Sequence, residues 1–319
     1  MRPCRLLAGH YDRCILGYTV PDLPSRQYFK YRAIMADAQP SDPVHCPICH
    51  VRQARFWFIK NDFHIWRCQE CGFIFVHPHP EDTAHIYAGE DYFRGTNRGF
   101  GYIDYEADKI PLRPFSETLL DRIERLLPSR GELLDVGTAS GFFLKLAKER
   151  GWETAGLEIS PYAVEEARRS GLDVRCGAVG ENVFGRRFDA VTLLDTMEHI
   201  PDPQSAVESC RDLLRPDGLL IINTPDASSF LARFLGKRWY SFVPPEHLSY
   251  FNAKNLSKLL LQNSFRIEEV GRIGKHFTPS FVLYMLFRWL RWPFLKRMGE
   301  LVGRTPLNRL AFPINFRDN

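Results

Sequence analysis

The chain has 319 residues, of which 45% are hydrophobic and 25% are charged, and its formal net charge is +4. This composition is ordinary for a globular protein and excludes wholesale disorder, and the length favours about two domains. The small net charge does not by itself indicate a nucleic-acid partner.

Neither a signal peptide nor a membrane-spanning helix is expected. No basic N-terminal start precedes a sustained apolar stretch, and no run of about 18 apolar residues occurs. The eight cysteines lack the spacing of a disulfide framework, which favours a reducing compartment. We therefore expect a cytoplasmic protein. Residues 1–40 are interrupted by prolines and receive no structural assignment beyond a flexible extension.

A zinc ribbon is predicted over residues 41–80. Two Cys-x-x-Cys pairs are separated by eighteen residues, close to the spacing of a structural zinc site. Four thiolates close a tetrahedral site and leave no position for a catalytic water, so the predicted role is structural or for recognition. The predicted ligands are Cys46, Cys49, Cys68 and Cys71.

The remaining elements are predicted in chain order. The ribbon contains strands at Phe56–Ile59 and Phe63–Trp66 around the turn residues Asn61 and Asp62. A helical connector, 81–128, ends in a helix at Ser116–Leu127. From 129 to 275 strands alternate with helices, which predicts a doubly wound α/β domain with a parallel sheet. The expected strands are Leu133–Val136, Thr154–Leu157, Leu172–Val174, Ala190–Leu194, Leu219–Asn223 and Phe265–Val270, and the expected helices are Phe142–Arg150, Tyr162–Ser170, Gln204–Leu214 and Ala253–Asn263.

A glycine-containing loop follows the first strand of this domain, where residues 133–143 read LLDVGTASGFF. Gly137 and Gly141 permit a tight turn and close approach of a ligand to the backbone, and Ala139 is nearly as small. Seventeen residues after Gly141, Glu158 ends the second strand, where an acid can accept hydrogen bonds from a ribose diol. The pattern predicts a nucleotide-binding crevice.

Two residues of the loop separate the classes of nucleotide. A dinucleotide site requires a third glycine at the position of Phe142. Asp135 would repel a pyrophosphate, but it would attract the ammonium and sulfonium groups of S-adenosylmethionine. The residues therefore favour the methyl donor over NAD.

Residues 131–224 resemble a class I S-adenosylmethionine-dependent methyltransferase domain of Rossmann-like fold. The loop matches that family's first motif, 188–200 (FDAVTLLDTMEHI) resembles its fourth-strand motif, and 214–221 (LRPDGLLI) its entry to the fifth strand. The resemblance implies an enzyme that transfers methyl groups. It also implies donor contacts from Asp135, Gly137, Ala139, Gly141, Phe142, Glu158, Ile159, Asp195 and Met197. The acid that often follows the third strand is missing at Cys176-Gly177, so the adenine contact is not assigned.

Two histidines are candidate catalytic residues. His199 follows the fourth strand, at the edge of the sheet where ligands bind, and could deprotonate a substrate hydroxyl. It could equally shape the turn that follows it. His247 lies in a proline-stiffened segment, 243–251, which resembles the substrate-side loop of small-molecule methyltransferases and could otherwise simply pack.

The C-terminal segment, 276–319, is basic. From Arg272 onward the chain has nine Lys and Arg against two acids. Within it, residues 281–297 are rich in Trp, Phe and Arg, which suits a helix in a membrane interface on the inner face, a lid over the acceptor or a homodimer contact. Class I domains end in an antiparallel hairpin of a sixth and a seventh strand, and no clear seventh strand is visible here.

The leading hypothesis is a methyltransferase acting on a small molecule, at an oxygen of a sugar, a lipid-linked intermediate or another metabolite. A zinc-ribbon RNA methyltransferase is the alternative enzyme, but 195–198 (DTME) differs from the motif of base amino-group methylation, so a nucleic-acid partner is not expected. A non-catalytic scaffold that binds the donor is the third hypothesis.

Overall fold

The computed structural model describes residues 43–80, 83–87, 90–93, 110–181, 183–290, 292–310 and 312–314. The extension predicted for 1–40 and parts of the connector lie outside these residues. The strands are β1 (Ala54–Lys60), β2 (Phe63–Cys68), β3 (Ile74–Val76), β4 (Glu132–Val136), β5 (Glu153–Glu158), β6 (Asp173–Cys176), β7 (Phe188–Leu194), β8 (Leu214–Asn223), β9 (Ser249–Tyr250), β10 (Lys275–Phe277) and β11 (Phe312–Ile314). The α-helices are α1 (Ala84–Tyr87), α2 (Glu90–Phe93), α3 (Arg113–Leu126), α4 (Phe142–Glu149), α5 (Pro161–Arg169), α6 (Pro203–Leu213), α7 (Phe230–Leu235), α8 (Ala253–Gln262), α9 (Pro279–Leu290) and α10 (Pro293–Gly303).

The central sheet has the strand order β6-β5-β4-β7-β8, and every neighbouring pair is parallel. The chain starts in the middle of the sheet, builds one side through β5 and β6, and then crosses to β7 and β8. This topology confirms the predicted doubly wound α/β fold. Because the strand order reverses beside β4, the carboxyl ends of β4 and β7 border the crevice in which such folds bind ligands.

The sequence pattern explains why the sheet is buried. Strand β4 has a continuous buried run at Leu133, Leu134, Asp135 and Val136, as expected for a parallel strand covered on both faces. Two helices of this domain, α5 and α6, begin at side-chain caps. The Ser160 side chain accepts a hydrogen bond from the amide of Ala163 at the start of α5, and Asp202 caps α6.

The predicted ribbon hairpin is confirmed by β1 and β2, which pair antiparallel around a turn at Asn61 and Asp62. Both turn residues have positive φ, at 48° and 64°, a conformation that Asn and Asp tolerate well. Strand β3 extends this sheet and then pairs with β9, so the order is β1-β2-β3-β9. The fourth strand of the ribbon's sheet is therefore β9, which follows β8 of the α/β domain in the chain.

The C-terminal part differs from the prediction. Residues 265–270 are not a strand, and β10 pairs with β11 in a separate antiparallel sheet of two strands. The stretch 281–297 is not one helix, since Pro293 begins α10 after a break at Trp292. Helices α9 and α10 pack closely, and a Cβ added at Gly299 would lie 3.3 Å from the Ser280 carbonyl oxygen. Within the described ranges, no helix is both long and apolar enough to cross a bilayer.

Candidate active site

The glycine loop makes a left-handed path between β4 and α4. Gly137, Ala139 and Gly141 have φ values of 74°, 50° and 84°. A Cβ added at Gly137 would lie 2.5 Å from Thr196 Oγ1, so a larger residue there has both the wrong conformation and no space. The amide of Gly137 donates to the Leu157 carbonyl at 2.7 Å, which ties the loop to the end of β5.

Glu158 holds the middle of this loop. Its Oε2 accepts a hydrogen bond from the Ala139 amide and its Oε1 accepts one from the Ser160 amide, both at 2.8 Å. The side chain is only 6% exposed, and burial raises the pKa of its carboxyl. Each carboxylate oxygen has a second lone pair, so these bonds leave acceptor capacity for ribose hydroxyls. Sequence reasoning missed that Glu158 also fixes the backbone of Ala139.

Asp135 is buried at the carboxyl end of β4, where its Oδ1 accepts a hydrogen bond from Thr192 Oγ1 at 2.6 Å. It borders a cavity that is also lined by Phe142 and Asp195 and by residues at the start of α3. The lining residues are Leu112, Phe115, Ser116, Asp135, Gly137, Thr138, Phe142, Phe143, Leu194 and Asp195. Four of the predicted donor-binding residues therefore meet at one cavity, and the connector helix contributes residues that the sequence did not single out.

The other predicted donor contacts have different surroundings. The Asp195 backbone has a positive φ of 52°, and the Asn223 side chain donates to its Oδ1 at 2.8 Å. Ile159 is 39% exposed beside the loop, where a flat ring could pack on it. Met197 is fully buried in the hydrophobic core. The Met197 side chain thus packs in the core, and its contact with the donor stays a prediction.

His199 is held in a defined orientation beyond β7. Its Nδ1 lies 2.8 Å from the Glu246 carbonyl oxygen and 2.9 Å from the Tyr87 hydroxyl, which itself donates to the same carbonyl. This partner set assigns the ring proton to Nδ1, because a carbonyl oxygen only accepts. Burial lowers the pKa of His199, which keeps the ring neutral with Nε2 as its basic nitrogen.

His247 lies against His199, with ring centroids 4.8 Å apart and planes at 82°. Its Nδ1 is 2.9 Å from the Ser241 carbonyl oxygen, which likewise assigns the basic nitrogen to Nε2. Glu198 completes a group of three residues whose ligand atoms all lie within 4.8 Å of one another. Two imidazoles and a carboxylate can exchange protons with a hydroxyl, and they also have the composition of a divalent-cation site.

The two predicted catalytic histidines therefore lie side by side. The sequence did not indicate Tyr87, which joins them to the segment 81–128. Tyr87, on α1, contacts His199 with ring centroids 5.6 Å apart. On α2, Phe93 is buried in a small apolar cluster with Ala139 and Ala163. Phe93 thus packs on the glycine loop and Tyr87 on His199. Both come from a segment without clear periodicity, so no pattern in the sequence identifies them.

The four predicted cysteine ligands also come together. The Sγ atoms of Cys46 and Cys71 are 3.6 Å apart, those of Cys49 and Cys68 are 3.5 Å apart, and all four lie within 4.8 Å. Backbone amides point at two of these sulfurs, from Ile48 to Cys46 at 3.4 Å and from Cys71 to Cys68 at 3.5 Å. Four sulfurs about 2.3 Å from a zinc ion lie about 3.8 Å apart at the corners of a tetrahedron, which the cluster approaches.

Comparisons with known proteins agree with this geometry. Residues 112–270 match a family model described as a methyltransferase domain. A ubiquinone biosynthesis O-methyltransferase of Xylella fastidiosa is 25% identical over 231 residues, which covers 67% of this chain and 87% of the relative. The protein of the same name from Alkalilimnicola ehrlichii is 29% identical over 169 residues, 46% of this chain and 68% of the relative.

Solved structures with partial similarity include two methyltransferases. A SAM-bound amino pentose methyltransferase from Micromonospora echinaspora is 27% identical, with a TM-score of 0.33 over 35% of this chain and 50% of that one. A SAM-dependent methyltransferase from Thermotoga maritima is 26% identical, with a TM-score of 0.42 over 51% of this chain and 76% of that one.

The parallel sheet, the glycine loop with its two acids and the match over 112–270 all lead to one assignment. The chain belongs to the class I S-adenosylmethionine-dependent methyltransferases.

Proposed function

We propose that this enzyme transfers the methyl group of S-adenosylmethionine to a hydroxyl oxygen of a small-molecule acceptor, with His199 as the general base. The observation that carries the proposal is the contact of His199 Nδ1 with the Glu246 carbonyl oxygen at 2.8 Å. This contact leaves Nε2 as the basic nitrogen, and burial keeps the ring neutral, as proton abstraction requires. The relatives named O-methyltransferase support an oxygen acceptor.

On the donor side, we assign Glu158 to the ribose hydroxyls and Asp135 to the ammonium group of the donor. Asp195 and Phe142 border the same cavity, and Ile159 offers an apolar surface for the adenine. The donor supplies an electrophilic methyl group when it is bound. The chain's own contribution is to hold it by the backbone of the glycine loop and to exclude water through the aromatic residues of α2.

On the acceptor side, His199 Nε2 takes the proton of the acceptor hydroxyl as the oxygen bonds to the methyl carbon. The bond from that carbon to the donor sulfur breaks at the same time, and S-adenosylhomocysteine leaves. His247 lies close enough to orient the acceptor oxygen, since its ring centroid is 4.8 Å from that of His199. Thr224 donates to Glu198 Oε2 at 2.9 Å, which fixes the carboxylate beside the two rings. The carboxylates of Glu246 and Asp195 favour the charged form of His199 and so stabilise the imidazolium that forms on it.

The experiment is a methyl-release assay with labelled S-adenosylmethionine against phenols, catechols, sugars and RNA. We expect turnover of a hydroxyl compound and none of RNA. In His199→Gln, kcat should fall by roughly 10²–10⁴-fold while donor affinity is retained. Lys254→Gln, at an exposed position of α8 outside the ribbon, is the control. An undiminished kcat in His199→Gln would show that His199 is not the general base.

The same assay addresses the divalent-cation alternative for Glu198, His199 and His247. If these residues act through protons, magnesium added after EDTA does not raise the rate, because any loss then comes from the ribbon zinc, which magnesium does not replace at four thiolates. If they act through a cation, EDTA abolishes the rate and magnesium restores the wild-type enzyme. The two outcomes are exclusive and separate the two chemistries at the same side chains.

We propose that the four-cysteine cluster of the ribbon binds one structural zinc ion. The Sγ distances of 3.5 and 3.6 Å and the amides directed at two sulfurs support this assignment. Elemental analysis of the purified protein should give one zinc per chain, and Cys49→Ser should lose it and lower the melting temperature. Cys210→Ser, at a buried cysteine outside the cluster, is the control for zinc content. A metal-free wild-type protein of full stability would contradict the assignment.

We propose that α10 makes a peripheral contact with anionic membranes. Trp292, Phe294, Met298 and Leu301 are between 44% and 58% exposed, and Lys296 lies exposed on the same helix. Apolar side chains beside exposed cations suit a bilayer interface. Co-sedimentation with phosphatidylglycerol vesicles should be lost in Phe294→Ala and in high salt. Concentration-dependent dimerisation without vesicle binding would assign the surface to a homodimer instead.

A further inference from the structure

The ribbon is not a separate module, because its sheet includes β9, which lies in the segment 239–251 that carries His247. Strand β3 pairs with β9, so that Phe75 lies opposite Ser249 and Ile74 opposite Tyr250. One residue before β9, the Leu248 carbonyl accepts a hydrogen bond from the Val76 amide at 2.8 Å. The ladder therefore ends directly beside His247.

The same residue connects the ribbon to the reacting side chains. The Leu248 amide donates to the Glu198 carbonyl at 2.8 Å, while its carbonyl is held by Val76 of the ribbon. Leu248 is fully buried. The backbone of 246–248 is thus clamped between β3 on one side and the turn that carries Glu198 and His199 on the other.

A second connection runs from the tip of the ribbon hairpin. Asn61 Nδ2 donates to the Pro244 carbonyl oxygen at 3.0 Å, across 183 residues of sequence. Pro244 precedes by two residues Glu246, whose carbonyl oxygen lies 2.8 Å from His199 Nδ1. Asn61 has a positive φ of 48°, a conformation that few residues other than Asn, Asp and Gly adopt.

A third connection is a buried row of aromatic rings. Phe58 of β1 meets Phe242 with centroids 5.2 Å apart, and Phe242 meets Tyr250 at 4.7 Å. The Tyr250 hydroxyl then donates to the His247 carbonyl oxygen at 2.8 Å. All three rings are at most 8% exposed. Because buried side chains are closely packed, a shift of Phe58 in the ribbon would displace Phe242 and Tyr250.

We infer that the ribbon is part of the acceptor site: through the β3–β9 pairing and the Asn61–Pro244 hydrogen bond it positions the segment 239–251, and with it His247. Asn61 is a positioning residue that acts through this segment and does not touch the acceptor. The inference rests on the proposed function in that 239–251 is taken as the acceptor side. It gives the structural metal site a role in acceptor binding that is separate from donor binding.

The test uses Asn61→Gly, which keeps the left-handed turn and removes the amide. Arg55→Gln, at an exposed position of β1, is the matched control. Hydrogen exchange by mass spectrometry should show roughly two- to tenfold faster exchange in residues 243–251 of Asn61→Gly and no change in Arg55→Gln. The ¹⁵N signals of the His247 ring should shift in the first variant only. Affinity for S-adenosylhomocysteine should be equal in all three proteins.

Removal of zinc with a chelator provides an arm that needs no substitution. We expect faster exchange in 43–80 and in 243–251 together, with S-adenosylhomocysteine binding retained. Faster exchange confined to 43–80, or an unchanged His247 signal in Asn61→Gly, would overturn the inference. These readouts involve no turnover, so a failure of the proposed acceptor chemistry leaves them intact and is recognised separately in the methyl-release assay.

Discussion

Glu158 provides a direct test of the donor site, because one substitution affects both the ribose position and the glycine loop. Its two carboxylate oxygens each accept a backbone hydrogen bond at 2.8 Å, from Ala139 and from Ser160. Glu158→Gln keeps the shape of the side chain but turns one oxygen into an NH₂ group. That group would face a backbone donor in a site that is 6% exposed.

The magnitude follows from the bond that is lost. A hydrogen bond to a charged group contributes about 1.5–3 kcal/mol, and a buried donor without a partner costs a similar amount. If the donor binds only to the loop conformation that Glu158 holds, the free energy of donor binding becomes less favourable by this amount. We therefore expect the Kd for S-adenosylmethionine to rise by roughly 10- to 150-fold.

The measurement is isothermal titration of S-adenosylmethionine into the wild type, Glu158→Gln and Glu153→Gln. Glu153 is exposed at the opposite end of the same strand, β5, so its substitution controls for loss of an acid from the strand. Circular dichroism establishes that all three proteins are folded. A folded Glu158→Gln that binds the donor within twofold of the wild type would refute the reasoning.

Three further predictions concern individual residues. Burial lowers the pKa of His199 in the folded protein. Below about pH 6.5 the unfolded chain therefore binds more protons at this residue than the folded protein does. The contribution of the neutral ring to the free energy of unfolding is complete above that pH and is lost as the pH falls through the folded-state pKa. Thermal melts should therefore show a shallower loss between about pH 7 and pH 5 in His199→Gln than in the wild type, and an equal slope would contradict this. Gly137→Ala should bind the donor at least about tenfold more weakly by titration, because its Cβ would lie 2.5 Å from Thr196 Oγ1. Tyr87→Phe loses the contact with His199 Nδ1 at 2.9 Å and should lower kcat by roughly three- to tenfold with donor affinity unchanged; a loss of donor affinity instead would place Tyr87 on the donor side.

The α/β core could be predicted because its signals are local. Alternating apolar runs and helical faces located β4 to β8 and the helices between them to within a few residues of their observed ends, except at β8. That strand was expected at Leu219–Asn223 and begins at Leu214, passing through Asp217 with a positive φ of 60°. The turn residues 216–218 masked the first half of the strand, since Pro, Asp and Gly indicate a loop.

The error at Phe265–Val270 has a different physical cause. Phe265 and Ile267 are half-buried while Arg266 and Glu268 are exposed, which is the alternation that predicts a strand. A strand also requires a partner ladder, and among the described residues β10 and β11 pair with each other instead. Periodicity reports which face is buried, but it does not report whether a neighbouring strand is available.

The two halves of the active site differ in how the chain builds them, and this difference explains which half the sequence revealed. The predicted donor residues from Asp135 to Ile159 lie within 25 positions of one another on consecutive elements, so a motif can record them. The proposed acceptor half joins Tyr87, His199, the segment 239–251 and the ribbon, which meet only through tertiary contacts such as the Asn61–Pro244 hydrogen bond. Because the β3–β9 ladder and this bond do not involve the glycine loop, substitutions in the ribbon can alter the acceptor side while leaving the donor side intact. If the acceptor side lies where we propose, changes in the N-terminal sheet alter the choice of acceptor while the fold that binds the methyl donor is retained.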